Sequence, residues 1–157
     1  MNPGRRGRHP VESMNSIAEL DGRLLVVYDG QCGLCDRSAH WLLRRDRGDR
    51  LRFAVSESPR VAELLARHGF SAAGPETVLV VRDAGGPQEQ VLARSEAVVA
   101  LLGELPRPWP WLAVGLGWIP RAVRDVGYRL VARWRYRLWG RLESCPVPTP
   151  AERERFL

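Results

Sequence analysis

VVYDGQCGLCD, Val26 to Asp36, is the stretch from which the fold of this chain can be read. The apolar run Leu24 to Tyr28 reads as a buried strand, and Asp29-Gly30 breaks it. Cys32 and Cys35 follow, and helical spacing begins at once. Cys35, Ala39, Leu42 and Leu43 share one face of a helix. Cys35 is therefore expected to point inward, toward the strand before it. Cys32 lies at or before the first turn, off that face, and is expected to meet solvent.

That placement suits dithiol chemistry. A thiolate attacks a disulfide and a thiol does not. Free N–H groups and the positive dipole end at a helix start favour an anion. A cysteine there, in a Cys-X-X-Cys motif, can fall from a pKa near ~8.5 to roughly 3.5–7.5. Arg37 pushes the same way and Asp36 opposes it. Two other readings stay open: a metal half-site completed by His40, His68 and Cys145, and an inert motif. No second pair has ligand spacing, so no metal is expected. Asp29 either makes the turn and caps the helix or carries protons for the Cys35 thiol. Cys145 is either a free tail thiol or a third redox thiol.

At 157 residues the chain reads as one domain with trimmings, and 45% hydrophobic content supports a proper core. The net charge is +6, and all 24 basic residues are arginine. A bias so complete reflects composition, so no nucleic-acid partner is inferred from it. Three cysteines do not make a disulfide scaffold. Residues 1–22 lack the apolar core of a secretory signal and read as a disordered arm. No run approaches the ~20 apolar residues of a membrane helix. The cytoplasm is the expected compartment.

In chain order, a helix is expected from Cys32 to about Arg45, ended by the charged run Arg44 to Asp49. Leu51 to Val55 alternates as a second strand, parallel to the first through a right-handed crossover. Pro59 opens a second helix, with Val61, Leu64, Leu65 and His68 on one face and Gly69 at its end. Thr77 to Val81 is a third, central strand. It forms a hairpin with a short fourth strand, Gln90 to Ala93. Ser95 is the expected N-cap of the next helix. The cysteine pair thus sits beyond the carboxyl end of the first strand, where open α/β sheets carry their sites.

After Leu105 the composition changes. Pro106 to Pro110 reads as a stiff linker, and Trp111 to Ile119 is apolar and glycine-rich. Pro120 starts a long helix to about Gly140. Val123, Val126, Leu130, Val131, Trp134 and Leu138 are expected to pack on the domain. Arg121, Arg124, Arg129, Arg133, Arg135 and Arg137 are expected to face water. The chain divides into an arm at 1–22, a core unit at 23–105, an extension at 106–143 and a proline-rich tail at 144–157.

The strand and helix order resembles the thioredoxin-like fold. Asp29-x-x-Cys32-x-x-Cys35, with Arg135 to Gly140 (RYRLWG) and Cys145-Pro146, is similar to the DCC family of thiol-disulfide oxidoreductases. So is the hairpin leading into Arg94-Ser95-Glu96-Ala97. The resemblance implies an α/β, four-stranded mixed sheet of order 2-1-3-4, with flanking helices and a helical extension. It implies dithiol-disulfide exchange, and the cysteine pair is accordingly read as that of a protein-disulfide reductase / thiol-disulfide oxidoreductase acting on protein or small-molecule disulfides. Cys32 would attack, Cys35 would resolve, and Asp29 would assist. No bound cofactor is expected; electrons come from a reducing dithiol system. Substrate contacts are expected at Gly33, Leu34, Pro75, Glu76 and Thr77. Thioredoxin-like proteins usually carry a cis-proline just before the third strand, whereas here Glu76 holds that position and Pro75 is one residue early. The alternative reading is a membrane-peripheral or interaction adaptor using the Trp/Arg-rich extension, with the cysteine pair vestigial or metal-binding.

Overall fold

A computed structural model describes Leu20 and residues 22–71, 78–143 and 149–157. Most of the expected arm, Pro75, Glu76, Thr77 and Cys145 lie outside the described residues. Four strands, β1 (Leu24–Tyr28), β2 (Leu51–Val55), β3 (Leu79–Arg82) and β4 (Gln90–Ala93), form one sheet of order β2-β1-β3-β4. β1 pairs parallel with β2 and antiparallel with β3, and β3 pairs antiparallel with β4. This is the α/β arrangement of thioredoxin-like proteins.

Strand alternation divides the core into two layers. Leu24, Val26, Phe53 and Val80 face α1 (Gly33–Arg45) and α3 (Ser95–Glu104). Leu25, Val27, Ala54, Leu79 and Val81 face α2 (Pro59–Arg67). α4 (Trp109–Trp118) and α5 (Arg121–Trp139) lie outside α3 and α1. Trp109 meets Trp41 of α1 edge-on, with ring centroids 4.7 Å apart. The expected linker is therefore already helical from Trp109.

The charged run after α1 is more than a helix stop. Asp46 is buried, and its two carboxylate oxygens accept the N–H groups of Arg50 and Leu51, each at 2.9 Å. Arg155 of the tail reaches the same carboxylate at 3.3 Å. Phe156 stacks on Phe53, and the Leu157 N–H donates to the Phe53 carbonyl at 2.9 Å. Residues 149–157 thus dock beside β2. Ser95 is not the N-cap expected for α3; Arg94 holds that position at φ +56°. The Ser95 hydroxyl donates instead to Asp125, tying α3 to α5.

The largest correction concerns α5. Val126, Leu130, Trp134 and their apolar neighbours are exposed, whereas Arg135 is 4% exposed. The inner face is built from Asp125, Tyr128, Ala132, Arg135 and Tyr136, whose polar groups bond to the core unit. No helix among the described residues is long and apolar enough to cross a membrane.

Replacing Asp46 by alanine strips the buried Leu51 N–H of its acceptor. The expected loss is about 1–3 kcal/mol of unfolding free energy, read from urea denaturation. An Asp46→Ala protein as stable as the parent would mean that the carboxylate does not organise this turn.

Candidate active site

β1 delivers Asp29 and the turn that follows it. Asp29 Oδ1 accepts the Gln31 N–H at 2.9 Å, and the Asp29 carbonyl accepts the Cys32 N–H at 3.2 Å. Asp29 therefore shapes the turn, as one of its two readings expected. The cap of α1 is a different residue. Cys32 Sγ accepts the Cys35 N–H at 3.4 Å. The sulfur of Cys32 thus sits where a helix start favours negative charge.

Both cysteines are free thiols and both are buried, Cys35 at 6% exposure and Cys32 at 0%. Cys35 points inward as expected. Cys32 does not meet solvent, because the chain beyond α5 covers it. Gly33 N–H donates to the Gly140 carbonyl at 3.4 Å, and Leu142 N–H to the Gln31 carbonyl at 2.7 Å. Cys32 and Arg141 form an antiparallel bridge. Gly140, at φ +74°, turns the chain out of α5 into this strap. Gly33 is required beneath it: a Cβ there would stand 2.6 Å from the Trp139 carbonyl oxygen. The expected substrate contact at Gly33 is therefore occupied by the protein's own backbone.

α5 brings two further residues to the pair. Arg135 Nη1 lies 3.8 Å from Cys35 Sγ, Nη2 lies 3.5 Å from Asp29 Oδ2, and Nη2 donates to the Tyr136 hydroxyl at 3.1 Å. The Tyr136 hydroxyl donates to Asp29 Oδ2. Among the described residues no hydrogen bond joins Asp29 to either sulfur; the Arg135 guanidinium stands between Asp29 and Cys35. Sequence reasoning placed Arg135 in water and gave Tyr136 no role. The available signal was the face Asp125, Tyr128, Ala132 and Arg135, which holds one helical side but is too polar to be recognised as inward-facing.

Burial pushes the Cys35 thiol up to about 12, helped by its hydrogen bond to Cys32, while Arg135 pulls it down. Burial also raises the Tyr136 phenol, and its donation to Asp29 adds to this. Burial works against charge on Arg135, but Cys35, Tyr136, Cys32 and Asp29 outweigh it and hold the guanidinium above its ordinary value. Cys35 is thus a protonated thiol at neutral pH, beside a fixed cation.

Cys35 and Arg135 also border an apolar cavity of about 410 Å³, lined in addition by Leu34, Trp41, Leu102 and Tyr128. Arg135 Nε is buried with no acceptor among the described residues. Leu34, an expected substrate contact, lines this cavity. Among the described residues no three His, Cys, Asp or Glu side chains cluster to hold a metal ion.

The raised Cys35 value sets a pH dependence. Its pKa is about 12 when folded and roughly 8.5 when unfolded, so the unfolded chain loses this proton first. The stabilisation is full below about pH 8.5 and fades as pH rises toward the folded value. Denaturant titrations of the reduced protein should show stability falling from about pH 8.5 upward, with a shallower fall in Cys35→Ser. Parallel pH profiles for the two proteins would rule out a thiol held protonated by burial.

The profile of the DCC1-like thiol-disulfide oxidoreductase family matches residues 26–141. A chloroplastic DCC family protein of Arabidopsis thaliana is 32% identical over 137 residues, 87% of this chain and 77% of the relative. The uncharacterized protein YuxK of Bacillus subtilis is 26% identical over 133 residues, 85% of this chain and 93% of the relative. No match was found among solved structures. The matched span opens in β1 and closes on Arg141, so it holds both the cysteine turn and the helix that supplies Arg135 and Tyr136. With that span matched, the chain belongs to the DCC1-like thiol-disulfide oxidoreductase family.

Proposed function

We propose that the protein reduces disulfides of protein or small-molecule substrates through Cys32 and Cys35, with Cys32 attacking and Cys35 resolving. One observation carries the reading: Cys32 Sγ accepts the Cys35 N–H at the start of α1, whereas Cys35 is held as a thiol. The Cys32 thiolate attacks one sulfur of the substrate disulfide. That S–S bond breaks, a mixed disulfide forms, and the first substrate thiolate leaves and takes a proton. Cys35 then loses its proton and attacks Cys32 Sγ. The second substrate thiol departs, and the Cys32–Cys35 disulfide carries the two electrons' worth of oxidation. An external dithiol reduces it again.

Arg135 supports the second step. The cation beside Cys35 lowers the cost of forming a thiolate in a buried place, where an unpaired charge is expensive. Asp29 and Tyr136 hold the guanidinium there. This assigns Asp29 a positioning role through Arg135 rather than direct proton transfer from Cys35. Substrate entry requires the strap of Trp139 to Leu142 to part from the Cys32–Gly33 turn. Leu34 and the cavity beside it would meet the substrate chain, together with the segment containing Pro75, Glu76 and Thr77. Cys145 is assigned no step.

Cys32→Ser is expected to abolish turnover, and Cys35→Ser to accumulate a mixed disulfide visible by mass spectrometry. Faster alkylation of Cys35 than of Cys32 at neutral pH would reverse the assignment.

Arg135→Gln is expected to slow resolution more than initial attack. A shift of one pKa unit in Cys35 corresponds to about a tenfold change in thiolate fraction. Rapid-quench kinetics separate the two steps. If attack and resolution slow equally, the cation serves the fold and not the resolving thiol. Asp29→Asn should give the same phenotype, and the double variant should add little to either single one.

Gly33→Ala forces the strap outward, because the new methyl meets backbone at Trp139. Cys32 should then react faster with iodoacetamide than in the parent. Unchanged reactivity in a folded variant would mean that the strap does not limit access.

A further inference from the structure

Every exposed large hydrophobic side chain among the described residues lies between Trp111 and Trp139. Trp118 is 87% exposed, and Val123, Val126, Leu130, Trp134 and Leu138 run as one stripe along α5. Arg129, Arg133 and Arg137, spaced four residues apart, form a second exposed stripe beside it. α4 carries no charged residue. Across both helices there are six arginines and a single acid, Asp125. Asp125 is held by Ser95 of the core unit.

We propose that the α4–α5 face docks on an anionic lipid surface, lying in the headgroup plane. Neither helix can span: at 1.5 Å per residue α4 is about 15 Å long, and α5, at about 28 Å, carries six arginines along its length. An apolar stripe with tryptophans, flanked by arginine, is the pattern of an interfacial helix. Indole rings favour the headgroup level, and arginine can lay its stem on the apolar layer while its head reaches phosphate.

Charge argues against other occupants. A two-fold contact between copies would set an arginine stripe against its own kind. Residues 1–19 carry three arginines and two glutamates and no apolar run, so they offer neither the charge nor the surface to cover it. The docked face is continuous with the redox site. Val131 borders both the shallow groove of Leu130, Trp134, Leu138 and Trp139 and the cavity beside Cys35.

The test uses the full chain, reduced, with vesicles of phosphatidylcholine alone or mixed with phosphatidylglycerol. Flotation and tryptophan fluorescence read docking without any redox turnover. The expected result is co-flotation with the anionic vesicles and a blue-shifted emission, both weakened by salt. Trp118→Ser combined with Leu130→Ser should lose flotation while keeping the parent's thermal melting, since both side chains are exposed. Arg133→Gln and Arg137→Gln should each weaken anionic binding roughly five-fold. Absence of flotation by the folded protein at low salt overturns the proposal, as does flotation that survives the double serine change. A dimer in solution that the same serine changes dissociate also overturns it, and gives the face to a second copy.

Discussion

A buried arginine organises this protein. Taking the Arg135 guanidinium out of water costs several kcal/mol unless it is paired. Here the pairing is supplied by Asp29, Cys35 and Tyr136, all reached from the inner side of α5. Once Arg135 faces the sheet, Asp125, Tyr128 and Ala132 must do so too, because they share its helical side. The apolar stripe is then turned outward. One polar contact therefore decides both the electrostatics of the thiol pair and which surface the molecule shows its surroundings.

The same helix closes the site sterically. Its C-terminal turn and the residues after it lie directly on the Cys32–Gly33 turn, and only glycine leaves room for the Trp139 carbonyl. The cysteine turn and the RYRLWG segment are two halves of one structure. Asp29 serves both halves, with one oxygen holding the turn and the other holding α5. A carboxylate used twice in this way couples the shape of the loop to the position of the cation.

Much of this was legible from the residues. The apolar run at Leu24 to Tyr28, the alternation at Leu51 to Val55 and the β-branched run ending at Val81 gave the strands their places, because strand burial has a simple period. The inward direction of Cys35 followed from helical spacing. The misreadings share one cause. Apolar residues were assumed to be inside and arginines outside, and α5 reverses that rule because its inner contacts are ionic and hydrogen-bonded. Periodicity alone cannot signal such a reversal, since both faces of α5 recur with the same spacing. The cover over Cys32 was equally invisible, because it comes from residues more than a hundred positions away. Asp46 illustrates a smaller version: a charged run suggests water, yet one of its carboxylates is the acceptor that sets the next strand's start.

The distance along the chain between the two halves has a consequence for synthesis. Cys35 precedes Arg135 by 100 residues, and Asp29 precedes Tyr136 by 107. At typical translation rates of roughly 5–20 residues per second, the thiols are made several seconds before the helix that shelters them. A nascent chain carries an uncovered dithiol with no fixed cation beside it. The covered pair with its fixed cation exists only after α5 has been made and has docked, so the electrostatic setting of Cys35 depends on synthesis having passed that helix.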